Sequence, residues 1–123
     1  MERVTGIGGV FQRSSGRAGS LLAWYAEHLG IELTDWGAKP FATGAGDSLA
    51  WGVFDHDSDS FGRREQAFMV NFRVADLGAM LAQLRAAGVE VIDRVDDSEF
   101  GRFGWAVDPE GNRFELWEPP AAS

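Results

Sequence analysis

The side chains able to do chemistry in this 123-residue chain are few, and almost all are carboxylates or arginines: cysteine is absent and histidine occurs twice, as His28 and His56. Disulfides, thiolate nucleophiles and thiolate metal sites are thereby excluded. The acid-rich run Asp55-His56-Asp57-Ser58-Asp59 imitates the opening of a calcium loop. It has Ser60 where that loop needs glycine and Gln66 where it needs a bidentate glutamate. A solvated linker explains the run better. Gly6-Ile7-Gly8-Gly9 breaks the dinucleotide fingerprint, because Phe11 takes the place of the third glycine. Gly46-Asp47-Ser48-Leu49-Ala50 is one residue short of a nucleophile elbow and precedes an expected strand instead of a helix. His28 falls one step off the apolar stripe of an expected helix, which suits a boundary or surface position. Asp93, Asp96, Asp97 and Glu99 read as an acidic, solvated loop; folded over a cleft, it would bring Glu99 and Phe100 to a ligand. Arg13, Asn71 and Glu115 remain, each inside or at the end of a strand-like segment.

The elements that must position these residues fall into two similar halves. Thr5 to Arg13 is rich in β-formers and reads as a strand. Leu21, Leu22, Tyr25 and Leu29 recur at helical spacing and Gly30 follows as a C-terminal cap; Leu77, Met80, Leu81 and Leu84 repeat the pattern, ended by Gly88. Asp76 stands at the start of the second helix, where a carboxylate suits the positive end of the helix dipole. A short strand is expected after each glycine, at Ile31-Glu32-Leu33 and at Val89 to Ile92. Two more strands close each half: Pro40 to Thr43 and Ser48 to Phe54 in the first, Arg102 to Asp108 and Arg113 to Glu118 in the second. The last two are joined by the turn Pro109-Glu110-Gly111-Asn112. Phe68 to Val74 opens the second half. The organisation is β-α-β-β-β, twice. It predicts one domain over 1–123, with module one at about 4–54, a linker at about 55–66 and module two at about 67–118.

Composition narrows the partners. With 45% hydrophobic and 24% charged residues the chain has ordinary globular make-up. A net charge of −8, from 19 acids against 11 bases, opposes nucleic acid and anionic membrane surfaces. No signal-peptide pattern or membrane-length apolar run occurs, so a cytoplasmic protein is expected.

Three segments carry a family resemblance. Trp24-Tyr25 followed by Leu29-Gly30-Ile31 resembles a helix end of the vicinal-oxygen-chelate group of glyoxalase, bleomycin-resistance and extradiol-dioxygenase-like proteins. Phe72-Arg73-Val74-Ala75-Asp76-Leu77 is similar to its strand-to-helix junction. Asp108-Pro109-Glu110-Gly111-Asn112-Arg113-Phe114-Glu115-Leu116 is similar to its final hairpin. In this order they span nearly the whole chain. The resemblance implies an α+β fold of two βαβββ modules, whose curved sheet forms an open cleft that usually holds a divalent metal. It implies four ligand positions, one in the first and one in the last strand of each module. They fall on Gly9, Met69, Trp51 (or Val53, two residues on and on the same face) and Glu115. Only Glu115 offers a suitable ligand atom. Moving by one residue, to Gly8 or Val10 and to Phe68 or Val70, supplies none. No metal and no other cofactor are therefore expected.

Alternation along the strands extends these positions into a cleft wall of Phe11, Trp51, Met69 and Trp117, with Arg13, Asn71 and Glu115 as polar fixtures. Such a lining suits a flat, partly aromatic or amphipathic small molecule. In glutathione-dependent glyoxalases of the group an arginine four residues beyond the first ligand helps to hold a substrate carboxylate, and Arg13 stands at that offset. A salt bridge to Glu115 or to a surface acid is the competing role for Arg13. The resemblance further implies a homodimer. The leading expectation is a small-molecule binder lacking the usual metal, either a sequestering module or an enzyme of unnamed reaction. Its rivals are a metal-dependent lyase or dioxygenase of the same group and a non-catalytic regulatory or partner subunit.

Overall fold

The computed structural model describes residues 1–32, 38–44 and 47–121. In chain order these form β1 (Val4–Arg13), α1 (Ala18–Leu29), β2 (Ala38–Gly44), β3 (Asp47–Phe54), β4 (Phe68–Val74), α2 (Leu77–Ala86), β5 (Glu90–Ser98), β6 (Gly101–Val107) and β7 (Arg113–Glu118). The fold is α+β with a seven-stranded open sheet in the order β2-β3-β1-β4-β7-β6-β5. Two compact units are distinguished: one holds Gly9–Met69, the other Met1–Gly8 with Val70–Ser123. Strands β1 and β4 each contribute residues to both.

In the unit of Met1–Gly8 and Val70–Ser123, α2 is held by its apolar stripe. Leu77, Met80 and Leu81 are buried with Val74 and Leu116, and Phe72, Leu84, Val91 and Phe114 pack around them. The start of α2 is doubly capped. The Asp76 carboxylate accepts from the Ala79 amide at 3.0 Å, and Glu118 accepts from the Leu77 amide at 2.8 Å. Two carboxylates at the positive end of the helix stabilise its first turn. The turn before β7 is built by Asp108, whose Oδ1 accepts from the amides of Glu110 and Asn112. That turn fixes the β6–β7 register, placing Trp105 opposite Glu115 and Phe103 opposite Trp117. On the other side of β7, Asn71 lies opposite Glu115 and Arg73 opposite Trp117.

The acidic segment expected to be a loop is strand instead. β5 runs to Ser98 and pairs with β6 through Asp96 and Asp97, after an irregularity in register between Val91 and Val95. Its charges are accommodated because Arg94 forks onto the Asp96 carboxylate at 2.9 and 3.0 Å and Arg102 approaches Asp97 at 3.5 Å. Opposite charges on a solvent-facing strand remove the repulsion that suggested a loop.

In the unit Gly9–Met69, β3 lies between β2, to which it is antiparallel, and β1, to which it is parallel. Helix α1 ends on Gly30 at φ 68°, a left-handed conformation that glycine adopts without cost. The amides of Gly30 and Ile31 turn back onto Ala26 and Tyr25. This closure occupies the Ile31 N–H, and Ile31 and Glu32 are not in a strand; Leu33 lies outside the described residues. No residue of α1 is buried, and Leu29, expected on its apolar stripe, is 61% exposed. Its start is capped from a distance by Asp55, which accepts from the Ala18 amide at 2.6 Å.

The segment 55–66 has neither helix nor strand, but it is not solvated throughout. Phe61 is 0% exposed, Gln66 is buried, and the Phe61 ring meets Phe54 edge-on at 5.2 Å. The Phe54 ring in turn meets Phe11 at 5.5 Å. The acids outnumber the apolar residues in this stretch, so its one anchoring ring is masked in an average over the segment. Replacing Phe61 by alanine is expected to destabilise the protein by about 3–5 kcal/mol, read from urea unfolding, whereas an exposed acid such as Asp57 replaced by asparagine should change stability by less than about 0.5 kcal/mol.

Candidate functional site

Each expected site residue has a definite place, and the two units are taken in turn. In Gly9–Met69, the parallel register sets Gly9 opposite Ala50, Phe11 opposite Gly52 and Arg13 opposite Phe54. Trp51 and Val53 pair instead with Val10 and Gln12. Because neighbouring strands present paired residues to the same face, Trp51 and Val53 lie on the opposite face from Phe11 and Arg13. The expected gathering of Trp51 with Phe11 is thus corrected by one residue of register. The Trp51 indole donates to the Gln12 side chain at 3.2 Å and its ring meets Tyr25 of α1 edge-on at 4.7 Å. The cleft-facing position in β3 falls on Ala50 or Gly52, and neither supplies a ligand atom.

Among the described residues, Arg13 is not paired with an acid. Its Nη1 donates to the Arg64 carbonyl at 3.1 Å and its guanidinium lies 5.0 Å from the centre of the Phe61 ring. Its Nε and Nη2 are buried and have no hydrogen-bond partner among the described residues. That edge is the fork that grips carboxylates. Arg13 also borders an open cavity of about 890 Å³, lined with Ser14, Arg17, Ser20, Trp24 and Tyr25 among others. Phe11 and Met69 are buried.

In the unit of Met1–Gly8 and Val70–Ser123, one row crosses three strands: Asn71 on β4, Glu115 on β7 and Trp105 on β6. Helix α2 packs on the other face of these strands, against Leu116 and Phe114. Asn71, Glu115 and Trp105 are 2%, 6% and 4% exposed. The Asn71 amide donates to Glu115 Oε1 at 2.6 Å. The Asn71 carbonyl oxygen has no hydrogen-bond partner among the described residues, and the Trp105 indole nitrogen is directed at the Glu115 carboxyl. Gly8 makes this row fit, because a Cβ there would collide with the Asn71 side chain and come within 2.8 Å of the Trp117 ring.

Burial raises the Glu115 carboxyl from its ordinary 4.5 to about 7. Hydrogen bonding from Asn71 and from the Trp105 indole opposes this; Asp96 adds to the rise and Arg94 opposes it. Near neutrality the group is poised to hold or hand over a proton. A second row runs beside it. Trp117 lies over Phe103 at 6.2 Å with ring planes 8° apart, and the Arg73 guanidinium sits 5.6 Å from the Trp117 ring. The Trp117 indole donates to the Phe100 carbonyl at 2.8 Å.

Trp105 and Phe103 are site neighbours outside the expected wall, whereas Arg73 continues the face of Met69 and Asn71 by strand alternation. The hairpin turn carried the signal for the first two. A turn closing at Asp108 and Asn112 sets Val107 against Arg113, and moving two residues away from the turn on each strand gives Trp105 against Glu115. Among the described residues, no three His, Asp or Glu side chains converge to hold a metal ion.

An open sheet with one helix on a face of each unit defines the glyoxalase-like class of α+β proteins. The glyoxalase-like domain model matches residues 11–117, and the chain belongs to that family. Among solved structures, a methylmalonyl-CoA epimerase from Streptomyces coelicolor is similar at 19% identity, with a TM-score of 0.71, over 97% of this chain and 100% of that one. The epimerase from Mycobacterium tuberculosis is similar at 22% identity and a TM-score of 0.63, over 96% and 90%. A structure described as an NAD-dependent benzaldehyde dehydrogenase from Legionella pneumophila is similar at 15% identity and a TM-score of 0.60, over 91% and 98%. These likenesses show the fold. No curated protein matches the sequence significantly.

The raised Glu115 pKa has a definite sign for stability. The folded chain holds the proton up to about 7 and the unfolded chain only to about 4.5. The contribution is therefore fully present below the unfolded value and is lost as pH rises through the folded one. Between about pH 5 and 8 it amounts to at most about 3 kcal/mol. Glu115→Gln keeps an acceptor for Asn71 and cannot ionise. It should flatten this part of the pH–stability curve in urea unfolding and be more stable than wild type at the alkaline end.

Proposed function

We propose that this glyoxalase-like chain binds a small, flat, partly aromatic organic molecule without a resident divalent metal. One observation carries the reading: of the family's four ligand positions only Glu115 offers an oxygen or nitrogen ligand, and it is already engaged by a hydrogen bond from Asn71 at 2.6 Å. The remaining positions, Gly9, Met69 and Ala50 or Gly52, offer at most a thioether, which suits soft ions such as Cu(I) and not Zn, Ni, Fe or Mn. The residues do not fit the family's metal, and no step is routed through one.

Ligand recognition then falls to side chains. Trp117, Phe103 and Arg73 provide an aromatic and cationic row, and Asn71, Glu115 and Trp105 a polar one, an apolar surface with a few orienting groups of the kind small-molecule sites use. Within the unit Gly9–Met69, the Nε–Nη2 edge of Arg13 suits a carboxylate. The reading includes a homodimeric, cytoplasmic protein. No helix among the described residues is long and apolar enough to cross a membrane.

The metal-independent reading is tested by elemental analysis of the purified protein for Zn, Ni, Fe and Mn, and by melting with and without a chelator. Substoichiometric metal and an unchanged melting temperature are expected; one metal per chain would overturn the reading. Arg13→Ala is expected to cost about 1–2 kcal/mol of stability even without ligand, because it releases both the Phe61 ring and the Arg64 carbonyl.

A further inference from the structure

The cavity of about 890 Å³ beside α1 differs in charge from the chain as a whole. Its lining holds two arginines, Arg13 and Arg17, and no acid, although acids outnumber bases 19 to 11 in the sequence. Arg13 leaves Nε and Nη2 buried with no hydrogen-bond partner among the described residues. A cation withdrawn from water without a counter-charge is costly, and an anion in the cavity it borders would offset that cost. The Ala18 amide at the start of α1 is already taken by Asp55, whose second oxygen lies 3.5 Å from Arg17 Nη1. The partners left for an anion are side chains: the Arg17 guanidinium, 74% exposed, and the Ser20 hydroxyl three residues on.

The apolar part of the lining continues along the same side of α1. Ser20, Leu21 and Trp24 follow Arg17 at spacings of three, four and seven residues, which one helix face presents together. Trp24 is 51% exposed, and its ring meets Tyr25 edge-on at 5.3 Å. A large ring left half open beside a cavity offers a surface to a flat ligand. At a rise of about 1.5 Å per residue, Trp24 stands about 6 Å beyond Ser20 and about 10 Å beyond Arg17. The segment joining β1 to α1 is held firmly. The Ser14 amide donates to the Phe54 carbonyl at 2.7 Å, and the Gly16 carbonyl accepts from the His56 amide at 2.9 Å. Such preorganisation lowers the ordering cost of binding.

We propose that this cavity binds an aromatic oxyanion, a flat ring joined by a short chain to a carboxylate or a phosphate. The anion meets Arg17 and Ser20 in the field of Arg13, and the ring lies against Trp24. The site lies wholly within Gly9–Met69 and uses none of Asn71, Glu115 and Trp117, so it stands or falls separately from the rows proposed above.

The test is calorimetric titration of the full chain at neutral pH and low salt. The probes are indole-3-propionate, 2-(indol-3-yl)ethyl phosphate, the neutral indole-3-propionamide, and the ring-free anions butyrate and ethyl phosphate. At least one indole oxyanion should bind about tenfold more tightly than both the amide and its ring-free counterpart. The tighter of the two identifies the headgroup. Arg17→Gln should abolish the preference over the amide. Trp24→Ala should weaken the indole oxyanions about fivefold and leave the ring-free anions unchanged. Both side chains are largely exposed, so each variant should melt as the wild type does. Equal affinity for the amide, or for the ring-free anion, would overturn the proposal. Tight binding indifferent to both substitutions would put the ligand elsewhere, overturning this site and leaving the binding function standing. Failure of every probe to bind would overturn the site as well.

Discussion

The hydrogen bond from the Asn71 amide to the Glu115 carboxyl joins two groups that the sheet would otherwise bury at considerable cost. A mid-strand carboxyl surrounded by apolar neighbours loses its water, and only a nearby donor or a proton offsets that loss. Here both operate: the amide reaches Oε1 at 2.6 Å, and burial shifts the acid towards its protonated form. The pairing also constrains its surroundings. A slip of one residue between β4 and β7 would turn Asn71 and Glu115 to opposite faces, and would carry Phe72 and Leu116 away from α2. Apolar packing on one face and polar pairing on the other therefore demand the same register. Gly8 belongs to the same arrangement, since only a residue without a side chain leaves room for Asn71 there.

The unit Gly9–Met69 is organised around aromatic rings. Phe11, Phe54 and Phe61 form a chain of edge contacts, and Arg13 lies over the last of them. This cluster turns an acidic, apparently solvated stretch into an anchored one, and it gives Arg13 a structural task besides any contact with a ligand. Asp55 illustrates the same economy of function. It caps α1 through Ala18 and approaches Arg17 at 3.5 Å, so the first carboxylate of a calcium-like motif serves a helix instead.

Much of the fold was legible because its signals are local. The β4 boundaries follow from the apolar run Phe68–Val74, α2 from its stripe and the Asp76 cap, and the final hairpin from the Asp108–Asn112 turn. The errors arose where a local signal was outvoted. Acidic residues in β5 suggested a loop until Arg94 and Arg102 appeared beside them. Apolar spacing in α1 suggested burial, yet none of its residues is buried. Trp51 was assigned to the face of Phe11 by counting along β3. A parallel pair has no connecting turn to set its register, so counting could not have decided between Trp51 and Ala50.

The sequence by itself determined the order and type of most elements, the absence of thiol chemistry, and the poverty of metal ligands at Gly9, Met69 and their counterpart in β3. These depend on residue identity and short-range periodicity, both of which are read along the chain. Only the tertiary structure decided which side chains meet. It set Trp105 beside Glu115, separated Trp51 from Phe11, and left the Asn71 carbonyl without a partner among the described residues. It also moved the Glu115 carboxyl towards neutrality. Those outcomes depend on burial and on strand register between segments distant in sequence, and desolvation acts on a group only once the surrounding chain has closed around it.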